Sequence, residues 1–270
     1  MKTSTSPLKF NDKADFKKAV HKQRKSRKAA LVAKEVQASA KIDAYRTDLS
    51  GGVISAIALS PIERKAYYDL YTSKAAEVLG IKKSVIDLYG GMKLCPYCQI
   101  DTHKDLDHFY PRSVFPELSI SSQNLVPACS ACNTTYKKTK WGNGNSRSFI
   151  HPYFDAVPDV QFLFCTVSLL PGKLYKISYW LKRDPLVSTS VFGLISRHFI
   201  ELNLEVRYIA KASSEEVPKI ARIIEGYASY DDRLRELSNF VNQQCVANLK
   251  NTWAHAFHQA LSPHMGLICR

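Results

Sequence analysis

Cys95-Pro96-Tyr97-Cys98, Leu106-Asp107-His108-Phe109-Tyr110-Pro111 and Asn124-Leu125-Val126-Pro127-Ala128-Cys129-Ser130-Ala131-Cys132-Asn133 are the three runs whose reading decides the fold. Two CxxC pairs offer four thiolates to one tetrahedral Zn²⁺, a closed site that leaves no position for a substrate. Such a site is structural: a small element buries too little surface to hold itself, and metal binding becomes folding energy. Thirty residues separate Cys98 from Cys129, more than a simple ribbon turn needs. Inside them, Leu106–Tyr110 reads as a short strand ended by Pro111. Neighbouring side chains on a strand point to opposite faces, so Asp107 and His108 are expected to divide their work unless the strand twists or ends there. Asp107 is assigned to a divalent cation and His108 to an attacking water. Asn133, at the start of the helix that begins near Cys132, can reach across as a second ligand. A carboxylate and a neutral amide are weak, hard donors, which favours Mg²⁺ or Mn²⁺ over a second zinc.

The order CxxC, Asp-His, Asn, CxxC-Asn, with Lys137 four positions later, resembles the zinc-containing branch of the HNH, or ββα-metal, nuclease family. The resemblance covers about forty-five residues of the 270. It implies a β-hairpin folded onto a helix around one catalytic ion, with His108 as general base and Asp107 and Asn133 as ligands of that ion. It makes Asn124 the residue that fixes the hairpin loop and orients His108, and implies 5′-phosphate and 3′-hydroxyl products. Two positions depart from the pattern: many relatives carry His where Asn133 stands, and some carry another His at Lys137. Arg112, Lys137 and Lys138 are candidates for gripping the flanking phosphates. The substrate class is nucleic acid, with DNA favoured and RNA such as tRNA within the same chemistry.

Outside this segment the resemblance is looser. The helical flanks, the run His151-Pro152-Tyr153-Phe154-Asp155 and the last Trp-containing helix are similar to HNH subunits of Septu-type and retron-associated anti-phage systems. That likeness implies an ABC- or OLD-type ATPase partner, with the flanks as docking surfaces. A different class of function, a non-catalytic zinc-stabilised module that only binds nucleic acid, needs the four cysteines and the basic helix. It has no need of Asp107, His108 and Asn133 together.

The chain carries a formal net charge of +14. Residues 1–46 hold thirteen Lys or Arg against four Asp or Glu, while 95–141 is nearly balanced, with five against four. A basic surplus concentrated away from the chemistry points to a polyanion partner, because Lys and Arg contacts to phosphate release counterions. No run of eighteen apolar residues and no apolar leader is present in the sequence, so no membrane role and a cytoplasmic location are expected. Seven cysteines, four of them in CxxC pairs, fit metal binding in a reducing compartment better than disulfides.

The expected architecture is α+β: a mostly helical scaffold with an inserted ββα-metal element and a small β-hairpin after it. The expected boundaries are a basic helical region over 1–92, the nuclease element over 93–148, and the hairpin with further helices over 149–270. Residues 1–12 read as irregular, and 14–45 as one long basic helix ending before the turn Ser50-Gly51-Gly52. Ser60-Pro61-Ile62-Glu63 is a capping-box helix start, predicting a helix to Leu79 stopped by Gly80. A shorter helix over 81–88 ends at Gly90-Gly91, and Trp141–Ser146 reads as an exposed loop. Strands are expected at Val160–Leu170 and Leu174–Leu181 around the turn Pro171-Gly172-Lys173. The remainder to Leu261 reads as helical, with Trp253, Phe257 and Leu261 forming a core stripe. His103, His151, His255 and His258 carry no expected role beyond packing.

Overall fold

The computed structural model of the chain describes residues 12–52, 54–89, 93–143, 146–170 and 173–270. The expectations for residues 1–11, for Gly90-Gly91, for Pro171-Gly172 and for Gly144-Asn145 lie outside the described residues. The chain divides into two compact units, one ending at Ala156 and the other spanning Val157–Arg270. The class is α+β, with helices predominant and the described strands paired in antiparallel twos.

The first unit opens with three helices, α1 (Asp12–His21), α2 (Lys25–Val32) and α3 (Glu35–Gly51), where one long helix was expected. The buried stripe of α1 is Phe16, Ala19 and Val20. A straight continuation would bring Gln23, Arg24 and Arg27 onto that stripe, charges the core cannot take. The chain turns instead and re-enters the core through Leu31 on α2 and through Ala38, Ile42 and Tyr45 on α3. Gly52 then caps α3 in the left-handed region at φ 72°, a conformation open to glycine.

The predicted capping box forms, with Ser60 and Glu63 reciprocally bonded at the head of α4 (Pro61–Leu70). The helix ends nine residues before the expected stop. Thr72 Oγ1 donates to the carbonyl of Asp69 at 2.9 Å, and Ser73 Oγ accepts from Ala75 N at 3.3 Å. These hydroxyls offer the backbone an alternative to the helix. Gly80 lies inside α5 (Ala76–Tyr89), where a methyl group would meet nothing, so it is an exposed helical position and not a terminator.

The hairpin pairs β1 (Asp105–His108) with β2 (Leu125–Ala128), antiparallel, His108 opposite Leu125. A short wide-turned helix, Ala131–Lys137, follows, completing the expected ββα order. Within the stretch expected as a loop, β3 (Gly142–Asn143) pairs with β4 (Ser146–Arg147). Two clamps outside the motif hold the hairpin. Asp12 accepts from Ser121 Oγ at 2.6 Å, Ser122 N at 2.7 Å and Gln123 N at 3.2 Å, fixing the turn before β2. From the other side Tyr153 donates its hydroxyl to the carbonyl of Leu125 at 2.7 Å. Asp155 takes a two-bonded Arg147 and the backbone N–H of His151. The His-Pro-Tyr-Phe-Asp run is therefore a brace for the hairpin.

In the second unit β5 (Leu163–Leu170) pairs with β6 (Lys173–Leu181), starting three residues after and one residue before the expected starts. Helices α6 (Thr189–Glu201), α7 (Leu204–Lys211), α8 (Val217–Glu225), α9 (Tyr230–Ala247), α10 (Trp253–Leu261) and α11 (Met265–Ile268) follow. Asn251, at φ 63°, accepts from Phe162 N and Leu163 N and donates to the Val160 carbonyl, pinning the start of β5. Trp253, Phe257 and Leu261 are buried, as the stripe predicted. Among the described residues no helix is long and apolar enough to cross a membrane.

Burial drives the His151 imidazole from its ordinary 6.5 down to about 3. The folded value lies below the unfolded one, so its contribution to stability is complete above pH 6.5 and is lost as pH falls towards 3. The thermal midpoint of the protein is expected to fall more steeply over that window than that of His151→Gln; parallel curves would contradict the assignment.

Candidate active site and metal centre

The two cysteine pairs converge. Cys95 and Cys98 flank a tight knuckle in which Cys95 N donates to the Asp101 carbonyl and Gln99 takes φ 55°. Cys129 follows β2, and Cys132 N donates to its sulfur at 3.4 Å. All four thiols are buried, and their sulfurs lie within 4.8 Å of one another, with Cys98 and Cys129 3.8 Å apart. Tetrahedral zinc bonds of about 2.3 Å require sulfur spacings of about 3.8 Å, whereas a disulfide requires about 2.05 Å. The spacing fits an ion and not a bond. Hydrogen bonds from Cys132 and Cys95 bring Cys129 down to about 7. Burial pushes Cys95 up, and its hydrogen bond to Cys129 does the same to Cys132. Four buried thiolates need a cation among them, and this donor set suits zinc.

The first knuckle also reaches the strand. Tyr97, between its two cysteines, is fully buried and donates its hydroxyl to Asp107 Oδ2 at 2.8 Å. Lys137 Nζ lies 3.0 Å from the same oxygen and 3.2 Å from Oδ1, and also donates to the His108 carbonyl at 2.8 Å. A carboxylate has about four lone-pair positions, so these contacts leave acceptor capacity on Asp107.

His108 closes β1. Its Nε2 lies 2.8 Å from the Ser119 carbonyl; a carbonyl only accepts, so Nε2 carries the proton and Nδ1 keeps the lone pair. The ring meets the edge of Tyr71 at 4.5 Å. Burial, aided by the cations of Arg112, Lys137 and Lys82, lowers its pKa to about 3, so the ring is neutral at physiological pH. Asn124 is fully buried and makes four bonds. Its Oδ1 accepts from Tyr110 N at 2.8 Å and from Tyr45 OH at 3.2 Å, and its Nδ2 donates to the carbonyls of Tyr110 and Leu118. Leu118 precedes Ser119 and Tyr110 lies two residues past His108, so one amide ties both supports of the imidazole.

Asp107, His108 and Asn133 line one cavity of about 160 Å³, with Tyr68, Pro111, Arg112, Ser113, Lys138 and Thr139. Asp107 and His108 share it because β1 ends at His108. The Nδ2 of Asn133 lies 3.4 Å from Asp105 Oδ2, which leaves its amide oxygen as an acceptor. Carboxylate and amide oxygens are the donors a hard divalent cation takes. Residues 95–139 match the family model described as HNH endonuclease. Over this segment the chain is similar to HNH endonucleases. A curated relative, Protein ea31 of Escherichia phage lambda, is 27% identical over 184 residues, covering 62% of this chain and 61% of the relative. The chain thus spans about six-tenths of that relative's length. No solved structure matches.

Within this segment, one expected phosphate contact is placed differently. Lys137 is completely buried, because the widened turn closed by Lys138 N on the Asn133 carbonyl carries it beneath the hairpin. It is the counter-charge of Asp107 and no surface grip. Arg112 and Lys138 do border the cavity; Arg112 stacks 4.2 Å over Tyr68 and Lys82 sits 3.7 Å over Tyr71. Sequence reasoning missed Tyr97, Tyr71 and Lys82, and also Ser119, whose contribution is a backbone carbonyl and leaves no side-chain signal.

Two outcomes are expected. Cys129→Ser, or stripping the protein with a strong chelator, should remove about one zinc per chain by elemental analysis and unfold the first unit; an unchanged melting curve would contradict a structural zinc. Lys137→Met should cost about 3–5 kcal/mol in urea unfolding, since it leaves the buried Asp107 without its counter-charge. The double variant Asp107→Leu/Lys137→Met should recover much of that loss.

Proposed function

We propose that this chain hydrolyses phosphodiester bonds in nucleic acid, with His108 as general base and Asp107 and Asn133 holding a Mg²⁺ or Mn²⁺ ion. The observation that carries the reading is the His108 ring: neutral, its Nε2 committed to the Ser119 carbonyl, its Nδ1 free to take a proton at the cavity that Asp107 and Asn133 also line. A neutral ring with its Nδ1 lone pair open can accept a proton, and the placement at the cavity suits a general base. Nδ1 accepts the proton of the attacking water, and the Ser119 carbonyl steadies the ring as it becomes cationic. When bound, the divalent ion supplies charge stabilisation at a phosphate oxygen and the leaving 3′ oxygen. Asn124 is a positioning residue that keeps ring and loop in register. Arg112 and Lys138 border the cavity as cations for the flanking phosphates, and Cys95, Cys98, Cys129 and Cys132 hold the structural zinc.

DNA is the favoured substrate, and structured RNA is answered by the same assay. The anti-phage role and its ATPase partner rest on the looser likeness of the flanks. Co-purification of a stable complex with an ATPase encoded beside this chain would support them, and a lone protein would not.

Wild type and His108→Ala, each with zinc content checked, would be incubated with supercoiled plasmid and with total tRNA in Mg²⁺, Mn²⁺ or EDTA. Cleavage by wild type is expected to fall at least about a hundredfold in His108→Ala, the scale of a lost general base, and to vanish in EDTA. Equal cleavage by both proteins would overturn the role of His108. Tight binding with every substrate left intact would favour the non-catalytic module.

A further inference from the structure

A basic cleft of the first unit lies outside the catalytic cavity. A cleft of about 510 Å³ opens between the α1–α2 corner and the α4–α5 turn, lined by Lys22, Gln23, Arg24, Ser26, Arg27, Thr72, Ser73, Lys74 and Ala75. Four cations and three hydroxyl side chains face it with no carboxylate in the lining. Among the described residues no ion pair involves Lys22, Arg24, Arg27 or Lys74. The two walls are tied together: Gln23 Oε1 accepts from Ser73 Oγ at 3.0 Å and from Arg27 Nη1 at 3.3 Å, while Gln23 Nε2 anchors to the Ala19 carbonyl.

The head of α2 adds a second, independent sign. Its N-cap, Arg24, makes no side-chain cap bond, and the first turn holds no acid. Free N–H groups and the positive helix end thus stand beside Arg24, Lys25, Arg27 and Lys28, a like-charge arrangement that disfavours the helix unless an anion joins it. A bound phosphate would satisfy the N–H groups and neutralise the cations. In sequence the cleft lining follows directly on residues of the catalytic cavity: Tyr68 borders that cavity and Tyr71 packs on His108, and the next residues, Thr72 and Ser73, line the cleft. Arg112 and Lys82, stacked on Tyr68 and Tyr71, add cations at that aromatic pair.

We propose that the cleft between the α1–α2 corner and the α4–α5 turn binds backbone phosphates of the substrate strand, on the flank of the phosphodiester that is cut. This deepens the proposed nuclease function and rests on it. The ligand is recognised by phosphate charge and geometry, so the contact is independent of base sequence. The cleft then contributes affinity and register, and none of the bond-breaking chemistry.

The test uses the full chain carrying His108→Ala, with no divalent cation added and no chelator, so that binding is read without cleavage and the structural zinc stays in place. Fluorescence anisotropy with a labelled duplex and with labelled tRNA is followed over a salt series. Arg24→Gln/Arg27→Gln is compared with Lys65→Gln/Lys83→Gln, which removes the same charge from exposed positions of the same unit outside the cleft. The cleft pair is expected to weaken binding roughly tenfold and to lower the log–log salt slope by about 2, near 0.9 per phosphate contact. The control pair should stay within about threefold of its parent. Equal losses in the two pairs, or an unchanged slope in the cleft pair, would overturn the proposal while leaving the nuclease reading intact. A parent protein that binds neither nucleic acid at low salt would sink both. Thermal stabilisation by inorganic phosphate that the cleft pair abolishes, without nucleic-acid binding, would replace the strand with a small phosphate ligand.

Discussion

A single buried amide holds the site in register. Asn124 bonds to the backbone of Tyr110 on one side and to the carbonyl of Leu118 on the other. Between those anchors lies the bond from His108 to the Ser119 carbonyl that fixes the imidazole and its tautomer. If the amide let go, the strand end and the loop would part, and Nδ1 would have no fixed direction. A buried network of this kind is worth having only when every member is satisfied. Here Tyr45 completes it from α3 at 3.2 Å, and Asp12 fixes the turn that carries Asn124.

The zinc site and the catalytic cavity are mechanically one object. Tyr97 stands between Cys95 and Cys98 and donates to Asp107, while Lys137 follows Cys132 on the same short helix and pairs with that carboxylate. Closing the four-sulfur cluster therefore aligns Asp107 from both ends of the domain. A charge buried to this depth needs such partners. Lys137 and Tyr97 supply those partners, and Asp107 also lines the cavity. The four-sulfur cluster and the cavity lined by Asp107, His108 and Asn133 are thus joined through Tyr97 and Lys137.

Much of this was legible from residue spacing alone. The paired cysteines, the Asp-His step at a strand end and the Ser60–Glu63 capping box each express a local rule, and each appears where that rule placed it. What the chain hid was set by tertiary packing. A continuous basic helix was expected over 14–45, but its apolar stripe runs into Gln23, Arg24 and Arg27, so the core breaks it into three. Gly80 reads as a terminator only if the hydroxyls of Thr72 and Ser73 are ignored. Lys137 looked like a surface cation because nothing in the sequence announces the widened turn that buries it. Ser119 acts through its carbonyl, which any residue would supply. His151 was a histidine without company in sequence, and its company, Tyr45, Gln123 and Tyr153, arrives only through the fold.

The central claim is that water, activated at His108, is the nucleophile on a phosphodiester. The most direct measurement is cleavage of a duplex and of tRNA in ¹⁸O-labelled water with Mg²⁺, followed by mass spectrometry of the new ends. The account predicts one ¹⁸O on a 5′-phosphate facing a 3′-hydroxyl, formed by wild type and absent with His108→Ala. Unlabelled ends, a 2′,3′-cyclic phosphate, or labelled 5′-phosphate formed equally well without His108 would contradict it.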